Sequence, residues 1–220
     1  MYPQGVCRIR KPAYAGNGCA IFLVFQTEEV GLKDGCGSQT QLRGVALENA
    51  LDKSHLRRGN MLELYIPKPE DLCFRERMLG DAQTMEYNHA YGGTIQFPRE
   101  RWEEWYCRWV APGDGKRFYR YLKNEAGFVG EASYHFDEER GVYLTDVLVD
   151  ARFRHRGFGK EGLRLLCGAA RANGVQALYD NIAIDNGAVK LFLSCGFTEI
   201  GRTAEAIWVK KDLTTGKNVV

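Results

Sequence analysis

The sequence has no apolar run approaching the ~18 residues that a membrane-spanning helix needs. The stretch Cys19 to Phe25 is apolar but brief, and it lacks the flanks of a secretory leader. Neither a membrane association nor a cleaved signal is expected. Internal repeats and low-complexity tracts are also missing. The chain has seven cysteines, an odd number, with no Cys-x-x-Cys pair. That disfavours a zinc site or a disulfide framework, so no metal is expected, and the reduced thiols of a cytoplasmic protein are the simpler reading. Charge of one sign is scarce too. Thirty Lys and Arg stand against 28 Asp and Glu, leaving +2 and a pI near 8.1, too mild a balance to point to nucleic acid. A length of 220 residues favours one domain with an appendage.

What is present concentrates between Gly141 and Gly174. The segment GVYLTDVLVD sets Val142, Leu144 and Leu148 against Tyr143, Val147 and Val149, the pattern of a strand covered on both faces. Further on, Leu163, Leu166, Cys167 and Ala170 recur at i, i+3, i+4, i+7, an amphipathic helix closed by Gly174. Between them lies a loop with Arg152, Arg154 and Arg156 and the glycines Gly157 and Gly159. Glycines allow close backbone approach, and a helix N-terminus offers free N–H groups and partial positive charge. The combination suits a phosphate or pyrophosphate.

The spacing Arg154-x-x-Gly157-x-Gly159 resembles the acyl-CoA pyrophosphate loop of the GNAT superfamily of N-acetyltransferases. Downstream, Asn186-x-Ala188-x-x-Leu191-Phe192-x-x-x-Gly196-Phe197 is similar to that superfamily's second signature. Two ordered motifs with a strand between them carry more weight than either alone. Two other readings compete. Gly157-Phe-Gly159-Lys-Glu-Gly162 also fits the dinucleotide fingerprint, with Asp180 downstream. That fingerprint opens a repeated βαβ domain behind a tight turn, whereas here the loop is basic and the chain left after it is short. A glycine-containing loop without any ligand is the plainest alternative.

Residues 1–60 read differently from the rest. Ala20 to Phe25 fits a strand and Val45 to Leu56 a short helix, around a glycine-rich polar stretch. They form either a loosely ordered extension or a segment upstream of the true start. Met61 then opens a strand pattern at Leu62 to Pro67, and a domain over 61–213 is expected, with 214–220 a frayed tail. Pro69, Glu70 and Asp71 open a helix running to about Leu79. Pro98 starts a second, with Trp102, Trp105, Tyr106 and Trp109 at helical spacing, read as packing. Strands follow at Lys116 to Asn124 and Gly127 to Asp137, turning at Glu125 to Gly127. In the second, Val129, Glu131, Ser133 and His135 share one face by the period of two, and Phe128, Ala132, Tyr134 and Phe136 the other. Ala177 to Asp185 forms a strand and Asn186 opens a helix ending at Gly196, before a pair of strands at Phe197 to Arg202 and Ala206 to Lys210. The fold class is thus α+β: a mixed, mostly antiparallel central sheet flanked by helices in the order β-α-α-β-β-β-α-β-α-β-β, which agrees with the GNAT layout.

The resemblance implies acetyl transfer from acetyl-CoA to a primary amine of a small molecule or peptide, by a monomer or homodimer. An acyl-CoA-binding module without turnover is the alternative. It implies that backbone N–H groups from His155 through Arg156, Gly157, Phe158 and Gly159 to Lys160 hold the pyrophosphate. Val147, Leu148 and Val149 would pair with the pantetheine arm, Arg154 and Arg156 would add charge, and Asn186 and Phe192 would belong to the cofactor side. The segment between the first two helices, with Tyr87, Asn88 and Tyr91, would line the acceptor pocket. Glu86, Tyr87, Tyr91 and Glu131 suit a cationic acceptor. Asp146 interrupts an apolar strand, where burial raises a carboxyl pKa toward that of a useful base. Glu131 is the second candidate, nearer the surface, and His135 the third. Where many superfamily members carry a proton-donating tyrosine, this chain has Phe192, which has no proton to give. Water, Cys195 or another group would then supply the proton, or the thiolate would leave unaided.

Overall fold

The computed structural model describes residues 61–111 and 113–214, apart from the side chains of Ala90 and Tyr91. The expected strand and helix within 1–60, and all of the tail but Thr214, lie outside the described residues. The elements are β1 (Glu63–Tyr65), α1 (Leu72–Gly80), α2 (Trp102–Trp109), β2 (Arg117–Asn124), β3 (Gly127–Asp137), β4 (Val142–Val149), α3 (Phe158–Ala172), β5 (Ala177–Ala183), α4 (Ala188–Ser194), β6 (Thr198–Arg202) and β7 (Ala206–Asp212). That is the expected order. Short 3-10 turns at Pro69–Asp71 and Arg99–Arg101 lead into α1 and α2, so both helices start a turn later than the prolines implied.

One seven-stranded sheet runs β1-β2-β3-β4-β5-β7-β6, antiparallel throughout except for β4 beside β5. On one face α3 and α4 cover a core of Leu163, Leu166, Ala170 and Phe192 against Tyr134, Leu178 and Val209. On the other, α1 and α2 cover Leu72, Met78, Phe97, Tyr119, Tyr121 and Leu148. The strand alternation assigns residues to these layers: Leu148 goes to the α1 side, Val147 and Val149 to the α3 side. One assignment fails. Pairing of β2 with β3 slips between Leu122 and Lys123, and the extra residue turns Val129 into the α3-side core while Phe128 joins the other. A bulge shifts the period of two by one, so Val129 does not share the face of Glu131. Burying side chains such as Leu163 contributes roughly 1.5–3 kcal/mol each, which holds the layers together.

Both C-terminal helix ends use the glycine signals legible in the chain. After α4, Gly196 takes φ 82°, its N–H donates to Leu193 O and that of Phe197 to Phe192 O. The rings of Phe192 and Phe197 meet edge-on at 4.9 Å, the apolar contact that accompanies this cap. Gly174 closes α3 in the same way, with φ 80°.

Candidate active site

The cleft follows from an incomplete ladder. Strand β4 pairs with β3 along its length but with β5 only at Tyr143–Leu178 and Leu144–Tyr179. Beyond these the two parallel strands part, and the β5-facing edge of β4 from Thr145 to Val149 has no strand partner. Backbone groups on such an edge need other partners, and an extended ligand arm can supply them. A cleft of about 1180 Å³ opens there, running from the loop before α3 to the aromatic side of α2.

At one end, β4 passes through the 3-10 turn Ala151–Phe153 into the basic loop. His155 stands at φ 61° and Gly157 at φ 86°, two left-handed residues that reverse the chain just before α3. A histidine in that region is uncommon, and such outliers gather where the backbone serves a ligand. Helix α3 makes its first intrahelical bond at Glu161 N–H to Gly157 O. The N–H groups of the preceding turn have no acceptor within the helix and no capping side chain at Gly157. A Cβ on Gly159 would lie 3.2 Å from Leu191 Cδ2, so this glycine keeps the turn close to α4. The chemistry of this donor set fits a pyrophosphate.

Three expected cofactor residues have other duties. Arg154 donates to Gln83 O, Thr84 O and Val149 O at 3.0, 2.6 and 3.3 Å, so it braces the loop against the turn after α1 instead of offering a free charge. Planar guanidinium groups suit this kind of multiple carbonyl contact. Asn186 accepts the Ala188 N–H at 2.9 Å in the turn leading into α4, while also lining the cleft. Phe192 is buried and reaches the cleft wall with its ring. Arg156 and Lys160 remain exposed at the loop. The brace has a second anchor that the sequence reading missed. Asp150, 1 % exposed, accepts from Arg152 and Arg77, and Ala151 N–H donates to Thr84 Oγ1. Burial opposes its ionisation, yet the Arg152 and Arg77 hydrogen bonds hold the Asp150 carboxyl down at about 2.

The other end is built from side chains. Arg75 of α1 is buried beneath Trp105 and beside Phe97 and Tyr119, its guanidinium carbon 4.6 Å from the Trp105 ring centre. It pairs with Glu131, which also accepts from the Tyr119 hydroxyl. Glu131 is therefore no surface residue: it is 1 % exposed and both partners fix it. Burial alone would lower the Arg75 pKa, and the Glu131 charge more than offsets it.

The tryptophan stripe packs against the aromatic core, as its spacing implied, and it also walls the cleft. No residue of α2 is fully buried, and Trp105 and Trp109 line the cleft while packing on Tyr119 and His135. Periodicity reported one buried side; it could not distinguish a core from a cleft wall. Tyr87 lines the cleft with its hydroxyl buried and unpartnered. The amide of Asn88 closes the turn onto Gly93 O at 2.7 Å, a structural duty. The Tyr91 side chain lies outside the described residues. His135 has its Nε2 buried and unpartnered, and burial, then Arg117, holds its pKa down near 4, so the ring is neutral at pH 7.

Asp146 lies between the two ends, on the cleft floor where β4 and β5 part. Burial first, then the Glu131 charge, push its carboxyl up to about 7. Asp180 of β5 lines the cleft as well, and sequence reasoning gave it no part here. A signal existed, since Asp180 interrupts the apolar run of β5 as Asp146 interrupts β4. A carboxylate that titrates near neutrality beside a phosphate-binding turn and an aromatic pocket can take a proton from an ammonium group.

The family model for the acetyltransferase (GNAT) family matches residues 79–197, more than half of the chain. The chain belongs to the GNAT acetyltransferase family, and the matched span contains the loop, both signatures and Asp146. Solved structures share the fold. The yncA protein from Salmonella typhimurium, solved with its cofactor acetyl-CoA, is 18 % identical over 72 % of this chain and 97 % of its own, with a TM-score of 0.56. A spermidine N-acetyltransferase from Vibrio cholerae, in complex with CoA and spermine, is 16 % identical over 69 % and 95 %, also at 0.56. A GNAT-family acetyltransferase from Streptococcus pneumoniae is 16 % identical over 69 % and 99 %, at 0.59. No curated protein matches the chain. Among the described residues no group of side chains could hold a metal ion, and no helix is long and apolar enough to cross a membrane.

Proposed function

We propose that this protein transfers the acetyl group of acetyl-CoA to a primary amine, of a small molecule or peptide, by direct attack of the amine. The observation that carries the reading is the placement of Asp146. It stands at the parting of β4 and β5, between a turn of free N–H groups and an aromatic pocket. The residues fit the donor. The N–H groups from His155 to Lys160 hold the pyrophosphate, and the open edge at Val147 to Val149 takes the pantetheine arm. The thioester supplies the activated acyl carbon, and the remaining steps belong to side chains. Asp146 removes the ammonium proton, which its raised pKa suits. Phe97, Trp105 and Trp109 exclude water and orient the acceptor. Glu131 holds Arg75 and supports the pKa of Asp146 through its charge; it is a positioning residue.

The acceptor is cationic. Glu131 is already paired, so Asp146, Glu86, Glu104 and Asp185 of the cleft lining complement the acceptor, and cation–π faces of the tryptophans add to this. The Vibrio cholerae enzyme's spermidine is one member of that class. Binding without turnover is the second reading, favoured by Phe192, whose buried ring has no proton to donate. Incubation with acetyl-CoA and a panel of amines, following free thiol, decides between them. Acceptor-dependent thiol release is expected, strongest with diamines and arylalkylamines. Tight acetyl-CoA binding with no release across the panel would favour the binding module.

A further inference from the structure

We propose that Asp180 is the acid that protonates the departing thiolate, the role for which Phe192 has no proton. The inference rests on the acetyltransferase reading above. Asp180 occupies a place where the fold has no structural use for a carboxyl. Its neighbours along β5, Leu178 and Ile182, are buried in the core under α3 and α4, and its register partner on β7 is the buried Val209. A polar group there is costly unless it acts.

Its position is specific. The last β4–β5 pair is Leu144–Tyr179, so Asp180 is the first residue of β5 beyond the ladder, at the mouth of the gap. It lines the cleft there with Asp146, Leu191 and Phe192. Across the gap Thr145 has a buried Oγ1 without a partner. The groups facing Asp180 do not neutralise it. It accepts the Asn181 N–H at 2.7 Å; the charge that acts on it is that of Asp146, which lines the same cleft; α4 presents Phe192. Lys211, two residues along β7 from Val209, donates to the Cys195 carbonyl. Burial and the Asp146 charge hold the Asp180 carboxyl well above the usual carboxylate range. Two carboxyls at one gap share their titration, and the charge of the first to ionise keeps the second protonated. Asp146, which also feels Arg75, ionises first; Asp180 keeps its proton.

The step balances. An acceptor ammonium gives one proton to Asp146. Its nitrogen lone pair forms the C–N bond as the C–S bond breaks and sulfur keeps the bonding pair. Sulfur takes the Asp180 proton and departs as the CoA thiol. The second proton on nitrogen returns to Asp180, and Asp146 releases its own to solvent. One proton is set free for each acetyl group moved.

The test compares wild type, Asp180→Asn and Asp180→Leu in the full chain. Infrared spectra at about pH 8.5, above the Asp146 titration and needing no turnover, should show a protonated carboxylic-acid carbonyl band that both Asp180 variants lose. Amine acetylation from acetyl-CoA should fall about 10²-fold in both, the lower end of what a positioned acid contributes. With an acetyl thioester of 4-nitrothiophenol, whose thiolate leaves without a proton, the loss should shrink to a few-fold. Adding Phe192→Tyr to Asp180→Asn should restore most of the rate. Melting curves guard against misfolding, and Asp180→Leu, which completes the apolar face, should melt above wild type. A missing acid band, or an equal loss on both thioesters, would overturn the proposal. An active wild type with an equally fast Asp180→Asn would overturn it alone. A wild type that releases no thiol with any amine would remove the acetyltransferase reading and this assignment with it.

Discussion

The two halves of the cleft are made in different ways. The half beside α3 is built from one contiguous stretch, β4 through the first turn of α3, and it presents backbone: an unpaired strand edge, left-handed residues at His155 and Gly157, and open helix N–H groups. The half beside α2 is built from side chains that are far apart in the chain, such as Arg75, Trp105 and Glu131, held by an ion pair and ring contacts. The first suits a ligand with an anionic group and an extended arm. In the second, each side chain can change without altering the backbone. A shared donor with a variable acceptor needs this division, and Asp146 stands where the halves meet.

Substituting that junction should have the largest effect. Asp146→Asn is expected to lower the acetylation rate by roughly 10²–10⁴ while leaving acetyl-CoA affinity unchanged, by stopped assays and calorimetry. Equal loss of affinity would show that the halves are not separable. Next in size is the side-chain half. Arg75→Met leaves Glu131 and Tyr119 buried without their cation, so denaturant unfolding should reveal a loss of about 3–5 kcal/mol. The folded fraction should still bind acetyl-CoA. Gly157→Val attacks the backbone half instead. At φ 86° a β-branched residue is strained by about 1–2 kcal/mol, and the turn must re-form. A fall in acetyl-CoA affinity of roughly tenfold, with the acceptor KM unmoved, is the expected reading.

Smaller effects follow from ionisation. The Asp146 pKa is raised by folding, so its contribution to stability is fully present below its unfolded value of 3.8 and is lost as pH rises through about 7. Asp146→Asn should therefore melt like wild type near pH 4 but gain about 1–2 kcal/mol at pH 8, allowing for solvent in the cleft. Asp150 has the opposite sign. Its lowered pKa supplies stability above pH 3.8 that disappears as pH falls through about 2. Unlike Asp146→Asn, Asp150→Asn should destabilise at neutral pH. The smallest change expected is removal of residues 1–60. The elements that build both halves all lie after Met61, and a chain starting there should keep its melting temperature and acetyl-CoA affinity.

The backbone half was the more legible one. Gly157, Gly159 and the strand before them are neighbours in the chain, so spacing alone conveys their geometry. Helix ends were legible for the same reason, since a left-handed glycine acts on the carbonyls of its own last turn. The side-chain half was only partly so. Helical period located Trp105 and Trp109 on one face but could not say that the face borders a cleft. Arg75 carried no local mark of burial, because the partner that permits it lies 56 residues away. Arg154 was misread for the converse reason: a basic residue in a phosphate loop looks available until the carbonyls of Gln83 and Thr84 are brought to it.

By itself, then, the chain determined the order of its elements, the two faces of its strands and helices except at the β3 bulge, and a turn suited to pyrophosphate, because each depends on residues within a few positions of one another. Tertiary structure decided the rest. It chose which carboxylates are paired, as Glu131 is with Arg75, and which line the cleft where the strands part, as Asp146 and Asp180 do. Their protonation depends on what burial and neighbouring charge do at distances the sequence does not record, and the chemistry of the cleft depends on their protonation.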